Sequence, residues 1–341
     1  MNNCSSLVVT LCERALSGHR LTRDEIVSLL SLSDVESLEI LRQASEEALR
    51  RTVGEIVRPV FCLSISTFCD LNCTYCDYRS SNVNVPRFRL SVEDVIEVVT
   101  QIPAYSNSLL LLDGAQDSTI DLAYVSSLFS AFQKIKNLPE LVFSFGERSR
   151  DYFNKMKELG MANYILEHKT TSPILYNTLH PEQSFYDRRQ SINSLLYLDV
   201  NVGTSMMVGF PKQDVWDLAD DFISILESGT KTLVIGPFIP GSFSPLADSP
   251  RGTIQSTLNA IAVARLMLKD AFIPTGLTFG ILDSGSAVEA LRWGANGVML
   301  YLHPPEQSED CSKATKLSIQ PDFQYVSTRV CSLGRVMEEQ G

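Results

Sequence analysis

From residue 58 onward, short apolar runs alternate with amphipathic segments that have helical periodicity. The runs predicted to be strands are 60–67, 109–113, 141–145, 163–167, 201–208, 232–235, 275–279 and 297–301. The helices predicted between them are 92–101, 122–136, 150–159, 188–197, 218–227, 254–268 and 287–293. Apolar strands separated by helices indicate right-handed βαβ units and a parallel sheet. Eight such strands favour a closed (β/α)8 TIM-type barrel, with a partly open barrel as the alternative, and both place the chemistry at the carboxyl ends of the strands.

The chain before residue 58 has a helical pattern of its own. Thr22 and Glu25 form a capping signal before apolar residues at mostly helical spacing, and Ser91 with Asp94 forms a second such signal later in the chain. The last residues are rich in serine and charge. The predicted division is an N-terminal helical extension over 1–57, a barrel over 58–305, and a C-terminal tail or cap over 306–341.

Composition and charge narrow the class of protein. Of the 341 residues, 44% are hydrophobic and 20% are charged, which is typical of a globular protein. The net charge of −11 disfavours nucleic-acid and anionic-membrane partners, because phosphate binding needs a basic face. No apolar stretch reaches the length of a membrane span, and the first residues lack the pattern of a signal peptide. We therefore expect a cytoplasmic protein with neither a nucleic-acid nor a membrane partner.

The strongest chemical signal is a cluster of cysteines. Of eight cysteines, Cys69, Cys73 and Cys76 lie together in a loop that follows the first predicted strand. Thiolates suit iron–sulfur clusters or zinc, and three of them can hold three corners of a [4Fe–4S] cube and leave one iron open. A structural zinc loop is one alternative, although zinc usually takes four ligands and no second Cys or His pair lies nearby. Three inert buried cysteines are the other alternative, against which the polar residues of the loop argue.

The spacing Cys-x3-Cys-x-aromatic-Cys after the first strand resembles the signature of the radical S-adenosylmethionine (SAM) superfamily. The resemblance implies that Cys69, Cys73 and Cys76 are the catalytic metal ligands of a [4Fe–4S] cluster whose free iron chelates SAM. It also implies reductive cleavage of SAM to a 5′-deoxyadenosyl radical, with Tyr75 packed near the adenine. The cofactors implied are the cluster and SAM. The partners implied are a small-molecule substrate and an electron donor such as flavodoxin or ferredoxin.

Several further segments resemble the HydE family of [FeFe]-hydrogenase maturases, a group that also contains biotin synthase and the methylornithine synthase PylB. These segments occur in the same order over residues 20–305: 143–148, 175–181, 207–211, 236–240, 273–274 and 294–296. The resemblance implies that Arg188 binds the carboxylate of SAM, a role for which the planar guanidinium with its N–H donors is suited. The neighbouring Arg189 is the alternative for this role, because the alignment can shift by one residue. The adenosine would be bounded by Met206, Met207, Gly236 and Phe238, for which filling of the barrel is the alternative role.

Two departures from the HydE pattern concern the SAM site. Gln116 stands where the family has an acid that faces the ammonium group of SAM. Glutamine carries no negative charge, and Asp113 or Asp117 are the residues that could supply it. At the fourth predicted strand, Glu167 stands where the family has a base, and Lys169 stands where the family has an acid. Residues two apart on a strand share a face. We therefore predict an acid–base pair of reversed polarity facing the substrate or SAM, with an exposed surface pair as the alternative.

The substrate side also departs from the family. Thr275, Tyr301 and His303 are the predicted substrate contacts, with ordinary loop packing as the alternative. The other cysteines show no ligand spacing, which disfavours a second cluster and sulfur insertion of the biotin synthase kind. The leading hypothesis is a HydE-like radical SAM enzyme that acts on a small amino-acid-like or thioether substrate. The rivals are a PylB-like amino-acid mutase, a non-catalytic cluster-binding homologue and, least favoured, a structural zinc protein.

Overall fold

The computed structural model describes residues 3–103, 107–283, 285–302 and 323–337. Over these ranges, eight parallel strands form a closed barrel in which each strand pairs with the next and β8 pairs with β1. The strands are β1 Arg58–Ser64, β2 Leu109–Asp113, β3 Glu140–Ser144, β4 Asn163–Ile165, β5 Asn201–Val208, β6 Thr232–Pro237, β7 Pro274–Thr275 and β8 Gly297–Tyr301. The predicted (β/α)8 barrel is confirmed, and the β8–β1 pairing excludes the partly open alternative.

Helices surround the barrel and precede it. They are α1 Asn3–Leu16, α2 Arg23–Leu30, α3 Val35–Thr52, α4 Val92–Val99, α5 Leu122–Phe132, α6 Arg150–Glu158, α7 Pro173–Leu179, α8 Phe185–Tyr197, α9 Val215–Ser228, α10 Ile254–Met267, α11 Phe279–Leu282 and α12 Ser286–Glu289. A 3₁₀ turn, Ala290–Trp293, follows α12, and a further helix spans Phe323–Ser332. Both predicted capping boxes are present, at Thr22 for α2 and at Ser91 for α4.

Three strands end two or more residues before the positions that the sequence predicted. β1 ends at Ser64, so four residues of loop lead to Cys69, and β4 ends at Ile165 instead of reaching residue 167. β7 has two residues, because the chain turns at residue 276 and enters α11. Apolar runs that continue past a strand look like strand in the sequence even where the backbone has left the sheet. The helix α7 was not predicted, although its Ser172 cap and Pro173 in the first turn are a recognised start signal.

Two apolar layers fix the position of the site. The outward-facing strand residues pack against the helices in one large core, while a smaller cluster fills the lower interior of the barrel. The inner cluster comprises Val60, Cys62, Leu109, Leu111, Val142, Ile165 and Met299. Above this floor, the strands continue to their carboxyl ends, where polar residues replace apolar ones. The interior is therefore closed below and open above, as in other barrels of this kind.

The helices α1 to α3 form a layer on one side of the barrel. α3 packs against α1 and α10, and α2 packs against α9. Asn259 of α10 donates hydrogen bonds to the carbonyls of Leu30 and Leu32, which ties the end of α2 to the barrel. No helix of the described ranges is both long and apolar enough to cross a membrane. The division into 1–57, 58–305 and 306–341 stays a prediction, since residues 303–322 lie outside the described ranges.

Candidate active site

Two adjoining cavities open at the carboxyl ends of the strands. The first, about 180 Å³, is lined by Cys69, Cys73 and Cys76 and by residues that follow β2, β3 and β4; we call it the cysteine cavity. The second, about 260 Å³, lies in the mouth of the barrel above the apolar floor; we call it the barrel chamber. Both cavities share one wall, formed by Tyr75, Asp113, Ser144, Ile165, Glu167 and Lys169. A molecule that spans this wall would touch the cysteine loop at one end and the chamber at the other.

The polar residues between the cysteines fasten their loop to different neighbours. Asp70 accepts a hydrogen bond from the Ser118 backbone N–H at 3.0 Å, on the β2 side. Asn72 donates to the Glu182 carboxylate at 3.0 Å, on the α7–α8 side. Asp77 accepts from the backbone N–H groups of Ser242 and Phe243 at 3.0 and 2.7 Å, after β6. The side chains that make this loop polar in sequence therefore hold its backbone in place.

The three cysteines are free thiols, half-buried at the cavity wall, and they affect one another electrostatically. Burial, and after it the charge of Cys69, raises the pKa of Cys73 to about 11. Burial and the charge of Cys73 raise the pKa of Cys76 to about 12. Cysteine ligands must be deprotonated to bind metal. Three such thiolates would be stable together only with a compensating cation, such as the irons of a cluster, bound among them.

The arrangement of the thiols suits a group larger than one ion. Within the described ranges, no three His, Cys, Asp or Glu side chains converge on a point that could hold a single metal ion. Ligands of one zinc ion would all lie within about 2.3 Å of that ion. The cysteines instead border a cavity of about 180 Å³, and soft thiolates around such a space suit an iron–sulfur cluster. The residues present therefore fit a cluster better than a mononuclear site.

Tyr75 stands in the wall between the two cavities and is held by His180. Its hydroxyl donates to His180 Nε2 at 3.2 Å, while Nδ1 of the same ring donates to the Tyr176 carbonyl at 3.1 Å. Burial lowers the pKa of His180 to about 3, so the ring is neutral and can accept at Nε2. Phe238, fully buried, packs in the same apolar cluster as Tyr75. These neighbours fix the aromatic ring that the sequence assigned to the adenine.

Arg188, Glu147 and Gln116 form a connected group beside the cysteine cavity. Arg188 is buried in α8, its Nε lies 2.5 Å from the Glu147 carboxylate, and its Nη1 donates to the Glu167 carbonyl. Gln116 Oε1 accepts from the Glu147 N–H at 3.0 Å. Gly146 makes this packing feasible: its φ is +72°, and a Cβ there would lie 2.5 Å from Gln116 Oε1. Arg188 thus borders the cavity, whereas Arg189 is exposed and lies over the Phe185 ring.

Glu167 and Lys169 form an ion pair in the shared wall, with 2.6 Å between Lys169 Nζ and Glu167 Oε2. Burial tends to raise the pKa of Glu167, but Lys169 and Arg188 outweigh it and the pKa is lowered overall. The two residues do not share a strand face, because β4 ends at Ile165. They meet because Lys169 has a left-handed backbone, with φ +65°. Such a conformation in a non-glycine residue is costly and is often found at functional sites.

A group of hydroxyl and carboxyl side chains lies at the upper level of the barrel chamber. Ser64, Asp113 and Ser144 are register partners at the ends of β1, β2 and β3, and all three line the chamber. Ser205 of β5 also lines it, and its side chain helps to lower the pKa of Glu167 by hydrogen bonding. Burial and the nearby charge of Glu167 raise the pKa of Asp113 to about 7. Apart from Asp113, these residues were missed in the sequence, although Ser64 and Ser144 occupy the last positions of their strands, where residues of the site are expected.

Several predicted site residues do not face a cavity in the way the sequence suggested. Met207 faces inward, while Met206 packs in the outer core and also contributes to the chamber wall. Phe238 lies behind Tyr75 and borders neither cavity. Thr275 pairs in register with the outward-facing Ile235 and Val298, so it is buried on the outer side of the barrel. Gly276, Leu277 and Thr278 line the chamber in its place, together with the predicted Gly236 and Tyr301. His303 lies outside the described residues.

Asp221 of α9 anchors the backbone just beyond Lys169, and its carboxyl makes the stability of the protein depend on pH. The carboxyl is fully buried and accepts hydrogen bonds from Thr170 and Thr171 at one oxygen, while the other oxygen has no partner in the described part of the chain. Burial raises its pKa to about 7. The folded state therefore holds a proton that the unfolded chain releases above pH ~4, so this group lowers stability as pH rises from ~4 to ~7.

We expect Asp221→Asn to stabilise the protein above pH 7 and to lose most of this gain near pH 5. The shift of about three pKa units corresponds to ~4 kcal/mol, and an unpaired buried amide costs ~1–3 kcal/mol, which leaves a net gain of about 2 kcal/mol at high pH. At pH 5 the buried carboxyl costs the wild type only ~1.5 kcal/mol, which the cost of the unpaired amide offsets. Urea unfolding of the apoprotein at pH 5 and pH 8 measures the change in this gain. A gain of the same size at both pH values would contradict the assignment.

Comparison with known proteins gives consistent results for sequence and fold. Residues 63–222 match the family model of the radical SAM superfamily. The chain is 31% identical to the [FeFe] hydrogenase maturase subunit HydE of Thermotoga maritima over 83% of its own length and 81% of that protein. It is 25% identical to 3-methylornithine synthase of Methanosarcina barkeri over 88% and 85% of the two chains. The crystal structure of methylornithine synthase PylB has a TM-score of 0.85 and covers 96% of this chain and 97% of its own, at 24% identity, which shows the shared fold.

Proposed function

The chain belongs to the radical SAM superfamily of iron–sulfur enzymes, and on that premise we propose that it reductively cleaves SAM at a [4Fe–4S] cluster to act on a small amino-acid-like or thioether substrate. The cluster would be held by Cys69, Cys73 and Cys76. When bound, the cluster and SAM supply an electron and the 5′-deoxyadenosyl radical. A one-electron donor such as flavodoxin or ferredoxin would provide the reducing equivalent.

The observation that carries this proposal is the pair of cavities with a common wall. The cysteine cavity offers three thiols, and the barrel chamber lies directly beside it. A reaction that starts at a cluster and ends on a separate substrate needs this order of sites. The apolar floor below the chamber keeps bulk water from entering through the barrel, which protects a reactive intermediate.

The SAM site we propose uses the connected group around Arg188. The Arg188 guanidinium would meet the SAM carboxylate, for which a fork of N–H donors is well suited. Gln116 uses Oε1 for the Glu147 N–H, and this carbonyl oxygen can accept a second hydrogen bond from the SAM ammonium. Glu147 lies close to both groups and would supply the negative charge that glutamine lacks. Tyr75 and Met207 would bound the adenosine on the chamber side, with Gly236 beside Met207 on the adjacent strand.

The chamber favours a substrate that carries charges of both signs. Lys169 would pair with a carboxylate, while Asp113 and Glu167 would accept hydrogen bonds from an ammonium group. Tyr301 adds an aromatic wall at the end of β8. The remaining lining, which includes Leu111, Ile165, Val234 and Met299, suits a short aliphatic or thioether side chain. An amino-acid-like molecule fits this combination.

The experiment that tests the proposal starts with oxygen-free purification and reconstitution with iron and sulfide. The protein is then incubated with SAM and dithionite, and 5′-deoxyadenosine is quantified. We expect about four irons per chain and deoxyadenosine that depends on dithionite. Zinc bound in place of iron would overturn the proposal. An iron-loaded protein that forms no deoxyadenosine, even with a panel of small amino acids present, would favour a non-catalytic cluster-binding homologue.

A second candidate is an amino-acid mutase that rearranges a carbon skeleton. The observation that favours it is similarity to 3-methylornithine synthase over most of both chains, together with charges of both signs in the chamber. A mutase returns its substrate hydrogen and regenerates SAM, whereas a HydE-like reaction that consumes SAM releases deoxyadenosine with each turnover. Product analysis with the ratio of deoxyadenosine to product separates the two candidates.

The reversed polarity of the Glu167–Lys169 pair is tested by exchanging the residues. We expect Glu167→Lys combined with Lys169→Glu to keep the ion pair but to weaken the binding of SAM or substrate by about tenfold or more, because one charge-assisted hydrogen bond is worth ~1.5–3 kcal/mol. Equilibrium dialysis with labelled SAM and turnover measurements provide the readouts. Unchanged SAM binding and turnover would mean that the pair is a surface feature. The matched control is the exchange of the exposed pair Lys155 and Glu158 of α6.

A further inference from the structure

One arginine connects the two ends of the cysteine loop. After Cys76 the chain runs outward and returns beside β1, where Ser66 bridges to Arg89. Arg87 lies on the returning segment, and its guanidinium donates to the backbone carbonyls of Thr67, Tyr78, Arg79 and Asn82. The bonds to Tyr78 and Arg79 are 2.8 Å long, and the bond to Asn82 is 3.0 Å.

The carbonyls that Arg87 binds lie on both sides of the three cysteines. Thr67 precedes Cys69 by two residues, and Tyr78 follows Cys76 by two residues. The Arg87 side chain therefore closes a ring of backbone that contains all three cysteines. A planar guanidinium with five fixed N–H donors can hold four carbonyls at once, whereas an ammonium is a point charge with three donors. Thr67 Oγ1 in turn accepts from the Phe88 N–H at 2.9 Å, next to Arg87, so the junction is fixed on both sides.

A second contact links this ring to a cluster ligand. The Tyr78 N–H donates to Cys76 Sγ at 3.3 Å, while the carbonyl of the same residue accepts from Arg87. The Arg87 guanidinium also lies 5.7 Å from the Tyr78 ring centroid. Hydrogen bonds to cluster sulfurs and the residues that orient them are among the features by which a protein sets a cluster's reduction potential. Arg87 thus holds the residue that donates to Cys76.

We propose that Arg87 is a positioning residue that closes the cysteine loop and, through Tyr78, raises the reduction potential of the cluster. The inference rests on the proposed function, because it requires a cluster bound by Cys69, Cys73 and Cys76. An N–H group that donates to a thiolate sulfur stabilises the more negative, reduced cluster. Loss of this orientation lowers the potential and makes the cluster harder to reduce.

The test compares reconstituted wild-type protein with Arg87→Lys, Arg87→Gln and the control Arg51→Gln. Arg51 is an exposed arginine of α3 that pairs with Glu47, so its removal makes the same change in net charge far from the loop. The readouts are the midpoint potential, from a titration followed by electron paramagnetic resonance, and the rate at which a chelator removes iron. We expect both Arg87 variants to have a lower potential and to lose iron about tenfold faster, while Arg51→Gln matches the wild type.

Arg87→Lys distinguishes the fork of hydrogen bonds from the positive charge, and it also serves if Arg87→Gln does not fold. A lysine variant with the wild-type potential and iron-loss rate would overturn the inference, since charge alone would then suffice. Wild-type values in both Arg87 variants would overturn it as well. Failure of the proposed function has a different signature, because the wild-type protein itself would then bind no iron–sulfur cluster.

Discussion

Replacing Cys73 with alanine is expected to reduce SAM-dependent formation of 5′-deoxyadenosine to background and to leave the protein short of its full iron content. Cys73 is the middle thiol of the loop and is coupled electrostatically to Cys69 and Cys76. A cluster with one open iron needs its other three irons ligated by protein. An alanine at this position leaves two thiolates, which cannot fix the cube or present its free iron toward the cavity. Iron analysis and the deoxyadenosine assay, performed on the same reconstituted sample, measure the two losses together.

The matched control for this prediction is Cys331→Ser. Cys331 is an exposed free cysteine of the helix Phe323–Ser332, so its replacement changes the number of thiols without touching the loop. We expect this variant to keep both iron and SAM cleavage. A Cys73→Ala protein that retained full iron and turnover would show that the loop cysteines are not the ligand set. Far-UV circular dichroism of the two apoproteins separates loss of the cluster from loss of the fold.

The barrel could be predicted from the sequence because its signal is repeated along the chain. Each apolar run, as at Leu109–Asp113 or Asn201–Val208, is followed by an amphipathic helix, and an error at one strand end leaves the alternation intact. The cysteine loop could be predicted because its three ligands are local in sequence. The capping boxes at Thr22 and Ser91 are local for the same reason, since a cap bonds to a backbone N–H three residues away.

The orientation of single side chains in the site was harder to predict. On a strand, a shift of one residue moves a side chain to the opposite face. Thr275 is predicted to contact the substrate, whereas the pairing register places it on the outer side of the barrel. The neighbouring Gly276 lines the chamber instead, while the predicted Met206 and Met207 both line it. Apolar composition on both faces of the barrel removes the alternation that would have indicated the correct face.

Contacts between distant residues were also beyond the sequence pattern. Gln116 meets Glu147 across 31 positions, and Arg188 meets Glu147 across 41. No periodicity encodes such pairs, because they depend on how the loops after different strands converge. The left-handed backbone of Lys169 is a further example, since lysine carries no signal for a positive φ. The sequence therefore indicated which residues to consider, while the structure shows which of them meet.

Replacing Arg188 with glutamine is expected to lower the free energy of unfolding by roughly 3–5 kcal/mol and to abolish measurable SAM binding. Arg188 is buried, lies 2.5 Å from the Glu147 carboxylate and donates to the Glu167 carbonyl. Its removal leaves the mostly buried carboxylate of Glu147 without a countercharge and frees the loop that carries Glu167. Urea unfolding of the apoprotein measures the first effect, and equilibrium dialysis of the reconstituted protein with labelled SAM measures the second.

Arg189→Gln is the control at the adjacent position. It tests which of the two arginines binds the SAM carboxylate, a choice that the sequence leaves open. Arg189 is exposed, so its replacement should change stability by no more than ~0.5 kcal/mol and leave SAM binding intact. The double variant Glu147→Gln with Arg188→Gln separates the two roles of Arg188. We expect it to be more stable than Arg188→Gln alone, because the uncompensated carboxylate is gone, yet to bind no SAM. If the double variant recovered SAM binding, Arg188 would serve only to neutralise Glu147, and the SAM carboxylate would have to be bound elsewhere.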